Sequence, residues 1–314
     1  MIDAPLDTVA WRATSGIDYM TWPLLDDLPV DAVMTTRFGG VSQGPYRSLN
    51  LGLHVGDDHD LVLHNRDLAA GLIGARLDDM VFCNQAHGRG VLVVTEKDRG
   101  RGARSTETAP EGIDAMVTAV PGLAIAMMVA DCAPIALYDP HGHIAAVVHS
   151  GWRGTVVRVA EAAVRSMADL GASPDDLVAV IGPAVDPEQY RVGPEVMEAV
   201  SKCFAGDISD VIRPISGGGS SGSGGSSSSS SSSSSGSGSG SSSSSSSSGS
   251  GSGQGTYLFD LWEANRRILV EAGLRADRIA SAGFPTGGDG PFFSHRSEQP
   301  CGRNAILVKL RPRP

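Results

Sequence analysis

The sequence predicts an α+β fold, a layered single domain in which a mixed β-sheet with hairpins is flanked by helices. Two observations predict it. Short apolar runs of strand length are intermixed with segments of helical period, and several of those runs follow one another across a turn rather than across a helical crossover.

Taken in chain order, strand-like runs cover residues 32–36, 80–84, 91–95, 115–119, 123–130, 135–138, 144–148, 177–181, 279–282 and 305–310. Helical periodicity covers four segments. Residues 60–72 have polar capping residues ahead of them, and residues 155–170 end at Gly171, a natural stop. Residues 194–204 open on Pro194, suited to a first turn. Residues 260–272 open with Asp260 and Glu263 at capping-box spacing and close at Gly273.

Residues 216–255 are almost pure Ser and Gly, a composition that cannot bury apolar surface and is expected to be flexible coil. Without them 274 residues remain, enough for one large domain or two small ones. The tract falls between the third and fourth helical segments, so the sequence reads as one catalytic domain over 1–314 interrupted by a loop at 216–255. Loop-closure cost rises only with the logarithm of length, which makes such an insertion tolerable.

A formal net charge of −10 argues against a nucleic-acid partner. The four cysteines (Cys83, Cys132, Cys203, Cys301) are scattered, with no CxxC pair, as in a reducing cytoplasm. No signal peptide is visible in the first residues. The longest apolar run, 119–130, is broken by Pro121-Gly122 and falls short of the roughly 20 residues of a membrane span. A soluble cytoplasmic protein is expected.

The chemistry concentrates in residues 130–154, ADCAPIALYDPHGHIAAVVHSGWRG. Asp139-Pro140-His141-Gly142 separates two apolar runs and reads as a hairpin turn. If Tyr138 pairs with His143, Cys132 stands opposite His149, at a separation of roughly 4.5–5.5 Å between Cβ atoms. A free cysteine is otherwise most often a small core residue, and a lone histidine a packed one. His87, in NQAHGRG, follows another strand-like run. Two histidines and one cysteine with an open fourth position make a catalytic zinc arrangement. His141 and His143 also have metal-like spacing, but on the turn they read as surface residues. Arg37 in TTRFGG and Arg153 in HSGWRG lie in Gly-flanked loops. Each reads either as a fork for phosphate or carboxylate or as a structural arginine paired with loop groups. No Walker A or GxGxxG pattern is present.

The segments TTRFGGVSQGPYRSLNLGLHVGDD, NQAHG, ADCAPIALYD, HSGWRGT, IGPAVDPEQYRVGPEV, LFDLWEANRRIL and FFSHRS…GRNAILV together resemble one known family. These are the laccase-domain proteins, once classed as multicopper polyphenol oxidases and now regarded as purine nucleoside phosphorylases, some described as peptidoglycan editing factors. The resemblance spans nearly the whole chain outside the Ser/Gly tract. It implies a zinc site from His87, Cys132 and His149, phosphorolysis of adenosine, inosine, guanosine and methylthioadenosine, and hydrolytic deamination of adenosine. Many members carry cysteines near IGPAVDPEQY and AGFPTGG, where this chain has none. The Ser/Gly insertion falls where the family varies in length.

On this reading the small-molecule partners are purine nucleosides and phosphate. Cys132 serves the metal and the chemistry, and Arg37 and Arg153 hold phosphate. Asp131 moves a proton or braces His149, or else caps its strand. Asn50 and Gln85 are candidates to read base or ribose. Copper bound at the same trio would be adventitious, since multicopper oxidation needs more imidazoles. The alternative from the same residues is a thiol hydrolase or amidase, with Cys132 as nucleophile, His149 as base and Asp131 as orienter. A non-enzymatic binding protein is the remaining reading.

Overall fold

A computed structural model describes residues 8–215 and 256–313. The expectation of flexible coil at 216–255 lies outside the described residues. Two six-stranded sheets face each other, with a helix on one outer side and a group of helices on the other, and a three-stranded sheet makes a third among the described residues, the α+β layering with mixed strands and flanking helices that the sequence predicts. The first sheet runs Ala10–Thr14, Ile17–Thr21, Val30–Thr35, Asn304–Leu310, Ala124–Val129, Met80–Val81. The second runs Ile279–Ser281, Val178–Ile181, Ala133–Asp139, Ile144–Ser150, Ala115–Thr118, Val91–Val94. Most neighbours are antiparallel. Three pairs are parallel: Met80–Val81 with Ala124–Val129, Val178–Ile181 with Ile279–Ser281, and Val91–Val94 with Ala115–Thr118.

The layering follows from side-chain alternation. Val81, Ile125, Met127, Ile306 and Val308 of the first sheet meet Met116, Ala136, Tyr138, Val147 and Val180 of the second in a shared core. The other face of the first sheet packs on Ala69, Ala70 and Ile73 of helix His59–Leu72 and its end. The other face of the second packs on Val164 and Met167 of helix Val159–Asp169 and on Ile268 and Leu269 of helix Leu261–Glu271. Strands Ala133–Asp139 and Ile144–Ser150 are therefore buried at every residue. Covering both faces stabilises the layers by about 1.5–3 kcal/mol per buried Val, Leu or Ile side chain. No helix of the described residues is long and apolar enough to cross a membrane.

Strands Ile212–Pro214 and Tyr257–Phe259 flank the Ser/Gly tract and pair antiparallel, and the Ile215 N–H donates to the Thr256 carbonyl at 2.9 Å. The described residues on either side of the tract, Ile215 and Thr256, therefore lie side by side. The Asp260 carboxylate accepts the Glu263 N–H at 2.9 Å, the cap its spacing predicts.

Local differences have local causes. The expected helix 155–170 is two helices, Trp152–Val156 and Val159–Asp169, broken at Arg158, whose backbone is left-handed at φ 60°. The run 80–84 is a ladder strand only over Met80–Val81. The hairpin register also differs, because Asp139 pairs with Ile144 and Pro134 with His149. The Asp139 carboxylate accepts the N–H groups of His141 and Gly142 at 2.9 and 2.8 Å, and the four-residue turn moves one position along the chain, to residues 140–143. That is a slip of two, so every side chain keeps its face. His143 is buried rather than at the surface, its ring held by the Tyr138 hydroxyl and the Arg311 carbonyl.

Candidate metal centre

The crossing from one sheet to the other is a link of three residues beyond Val129, and it carries the cysteine. Strand Ala124–Val129 belongs to the first sheet and Ala133–Asp139 to the second, with Ala130-Asp131-Cys132 between. His87 lies in the loop after Met80–Val81, and His149 is the penultimate residue of Ile144–Ser150. One ligand atom from each of His87, Cys132 and His149 lies within 4.8 Å of the others. The two imidazoles meet edge to face with centroids 4.7 Å apart. Gly151 lies beyond the register opposite Cys132, and a Cβ there would stand 2.6 Å from the sulfur. Glycine makes the space the thiol occupies.

Two nitrogens and a sulfur suit a borderline divalent ion, and donors around a tetrahedral zinc stand roughly 3.3–3.6 Å apart. Two imidazoles and a thiol gathered at one point are the donor set such an ion takes.

Asp114, fully buried, organises the trio, and sequence reasoning missed it. Its Oδ1 accepts the His149 Nδ1–H at 2.9 Å and the His87 N–H at 3.0 Å. Its Oδ2 accepts the N–H groups of Gly88 at 2.7 Å and Ala86 at 3.2 Å. One carboxylate thus fixes the tautomer of one imidazole, leaving Nε2 for a ligand, and shapes the loop that carries the other. The signal that could have found it is register: Ala115 pairs with Val148, which sets Asp114 beside His149.

Electrostatics follow from this packing. Burial pushes the Cys132 thiol up, but the charge of His149 and the bonds from both imidazoles outweigh it and hold the thiol well below its ordinary value. Burial lowers His149, while the Cys132 charge and Asp114 raise it above the usual range. Burial raises Asp114, and its bonds to His149 and to the loop N–H groups bring it below the carboxylate norm.

The cluster opens into a cavity of 890 Å³, within the roughly 300–1,000 Å³ of small-molecule sites. Trp152, Arg153, Tyr190, His295, Arg296, Gln299 and Arg303 line it, with Gln85 and Asp131. Other expected residues go elsewhere. Asn50 is fully buried away from the cavity, and its Oδ1 accepts the N–H groups of Gly52 and Arg303 while its amide donates to Asp57. Gln85 lines the cavity, but both ends of its amide bond the Met128 backbone at 2.8 and 3.1 Å, continuing the ladder where the strand stops. Arg37 does not reach the cavity. Its fork grips the Glu298 carboxylate at 2.7 and 2.9 Å, the structural role left open for it, and ties down the segment carrying His295, Arg296 and Gln299. Asp131, at φ 86°, accepts the Thr286 hydroxyl at 2.6 Å and the Arg296 N–H at 2.7 Å. Bracing of His149 falls to Asp114 instead. Of the two expected arginines, Arg153 alone faces the cavity.

Residues 31–215 and 234–311 match the model of a family described as multi-copper polyphenol oxidoreductase laccase. The chain belongs to this family. Relatives within reach carry other names. Purine nucleoside phosphorylase YlmD of Bacillus subtilis (strain 168) is 33% identical over 272 residues, spanning 86% of this chain and 84% of the relative. Adenosine deaminase RL5, from an unknown prokaryotic organism, is 40% identical over 183 residues, 58% of this chain and 70% of the relative. The crystal structure of YlmD from Geobacillus stearothermophilus superposes with a TM-score of 0.79 at 30% identity, over 98% of this chain and all of that one. The laccase in the family's description finds only three clustered metal-ligating residues among those described here.

Proposed function

We propose that this chain is a zinc-dependent purine nucleoside phosphorylase, acting on adenosine, inosine, guanosine and methylthioadenosine, that also deaminates adenosine. The observation that carries the reading is the His87–Cys132–His149 trio, braced by Asp114, at the wall of a cavity of nucleoside size. The names and identities of the relatives support an enzyme of this kind.

His87, Cys132 and His149 would hold the ion, which supplies Lewis acidity at an open fourth position. The chain's own residues do the rest. The cavity walls screen the reacting bond from bulk water, and Arg153 holds phosphate. In phosphorolysis a phosphate oxygen bonds C1′ of the ribose, the C1′–N bond breaks, and the base leaves with the electron pair and takes up a proton. Copper at this trio would be adventitious. We read the chain as one catalytic domain over 1–314 interrupted at 216–255, and as cytoplasmic, a setting in keeping with its four free thiols.

One observation favours a second reading. Cys132, His149 and Asp114 also line up as a thiol, a base and an orienting carboxylate, the order a thiol hydrolase or amidase uses, with Asp114 in the place expected for Asp131.

Adenosine incubated with metal-replete protein separates these. With phosphate, chromatography should show adenine and ribose 1-phosphate, and without phosphate, inosine. Cys132→Ala should abolish the phosphorolytic products. No turnover of adenosine, inosine or guanosine by the wild type would sink the nucleoside reading and favour the thiol hydrolase.

A further inference from the structure

The rim of the cavity departs from the electrostatics of the rest of the molecule. Over most of the surface, arginines sit on carboxylates, as Arg158 does on Glu161 and Glu271 and Arg99 on Asp79 and Glu96. Arg153, Arg296 and Arg303 have no such partner among the described residues, and all three line the cavity. The one carboxylate in the lining is Asp131, and its two oxygens are occupied by the Thr286 hydroxyl and the Arg296 backbone N–H. In a chain of net charge −10 this is a local excess of positive charge at the mouth of the site.

Two of these guanidiniums are held in place by aromatic rings. Arg153 lies 4.5 Å over the Trp152 ring, and Arg296 lies 4.9 Å over the Tyr190 ring. Tyr190 is itself stacked on Phe259 at 5.9 Å. One nitrogen of Arg296 donates to the Arg191 carbonyl at 2.9 Å, leaving the rest of the fork available. Arg303 is turned back on Cys301 and Gly302 and is the least available of the three. Tyr190 lines the cavity, its hydroxyl has no hydrogen-bond partner among the described residues, and burial pushes that hydroxyl above its ordinary value, so it stays a donor. Stacked guanidiniums lose little freedom on binding and present planar forks, the geometry that phosphate accepts.

We infer that Arg153, Arg296 and the Tyr190 hydroxyl form an oxyanion subsite that takes free inorganic phosphate beside the Cys132 cluster. The inference rests on the phosphorylase reading, and it moves the second phosphate-binding arginine from Arg37 to Arg296. Because Arg296 is tied to Asp131 through its backbone, a side-chain substitution leaves that tie in place.

The test titrates inorganic phosphate into the wild type, Arg296→Gln, Arg296→Lys and Tyr190→Phe by calorimetry. The KM for phosphate and for inosine are then measured in phosphorolysis. Arg296→Gln should weaken phosphate about 10–100-fold in both binding and KM, with a much smaller change in the KM for inosine. Arg296→Lys should recover part of the loss, and Tyr190→Phe should show a smaller one. Equal phosphate affinity in wild type and Arg296→Gln, or parallel rises in both KM values, would overturn the subsite. So would tighter Arg296-dependent binding of adenosine 5′-monophosphate than of free phosphate. Phosphate binding that depends on Arg296 in a protein that cleaves no nucleoside would uphold the subsite and refute the phosphorylase.

Discussion

Asp114→Asn should lower metal affinity and phosphorolysis about 10–100-fold. The carboxylate accepts four N–H donors, two on each oxygen: His149 Nδ1 and His87 on Oδ1, Gly88 and Ala86 on Oδ2. An asparagine has one acceptor oxygen and one NH2, so whichever way the amide turns, two donors face a third. Either the His149 ring loses its fixed tautomer or the 86–88 loop loses its anchor, and each outcome displaces one metal ligand. A chelator-competition titration reads the loss directly. Wild-type affinity in Asp114→Asn would mean that the imidazoles are oriented by packing alone.

Gly151→Ala should cost about 100-fold in activity, with little change in melting temperature. The backbone at Gly151 has φ −78° and ψ 177°, a conformation any residue adopts, so no strain accompanies the substitution. The added methyl would stand 2.6 Å from Cys132 Sγ and 3.5 Å from His87 Cδ2. The thiol must swing away from the two imidazoles to make room, and the strand end cannot move, because His149 and Ser150 are buried in the ladder. Activity and melting temperature falling together would place the effect in the fold instead of at the sulfur.

Much of this centre was legible in the sequence because strand alternation constrains it. Cys132 and His149 come together although the predicted register was off, since the Asp139 turn adds a slip of two and a slip of two preserves faces. Most sheet strands were readable from their apolar runs, but Ala10–Thr14 and Ile17–Thr21, at one end of the first sheet and without such runs, were not. The pairing of those runs into two facing sheets was not, because strands buried on both faces carry no alternation to say which neighbour they meet. The loop residues were the least legible. Arg37 and Arg153 look alike as Gly-flanked arginines, and only the fold shows that Glu298, 261 residues away, claims the first. Asn50 and Gln85 carry amides suited to a nucleoside but spend them within the fold, Asn50 on backbone groups and the Asp57 carboxylate and Gln85 on the Met128 backbone. Tyr190 and Arg296 reach the cavity from segments far from the motif, the first just after IGPAVDPEQ and the second from the tail of the chain.

The zinc site is tested most directly by X-ray absorption at the zinc edge, with metal stoichiometry, on wild-type protein and on Cys132→Ala. About one zinc per chain is expected, with one sulfur near 2.3 Å and nitrogen or oxygen neighbours at about 2.0–2.1 Å, and loss of the sulfur shell in the variant. A wild-type protein that turns over nucleosides with no stoichiometric metal, or one whose zinc has no sulfur neighbour, would contradict the assignment.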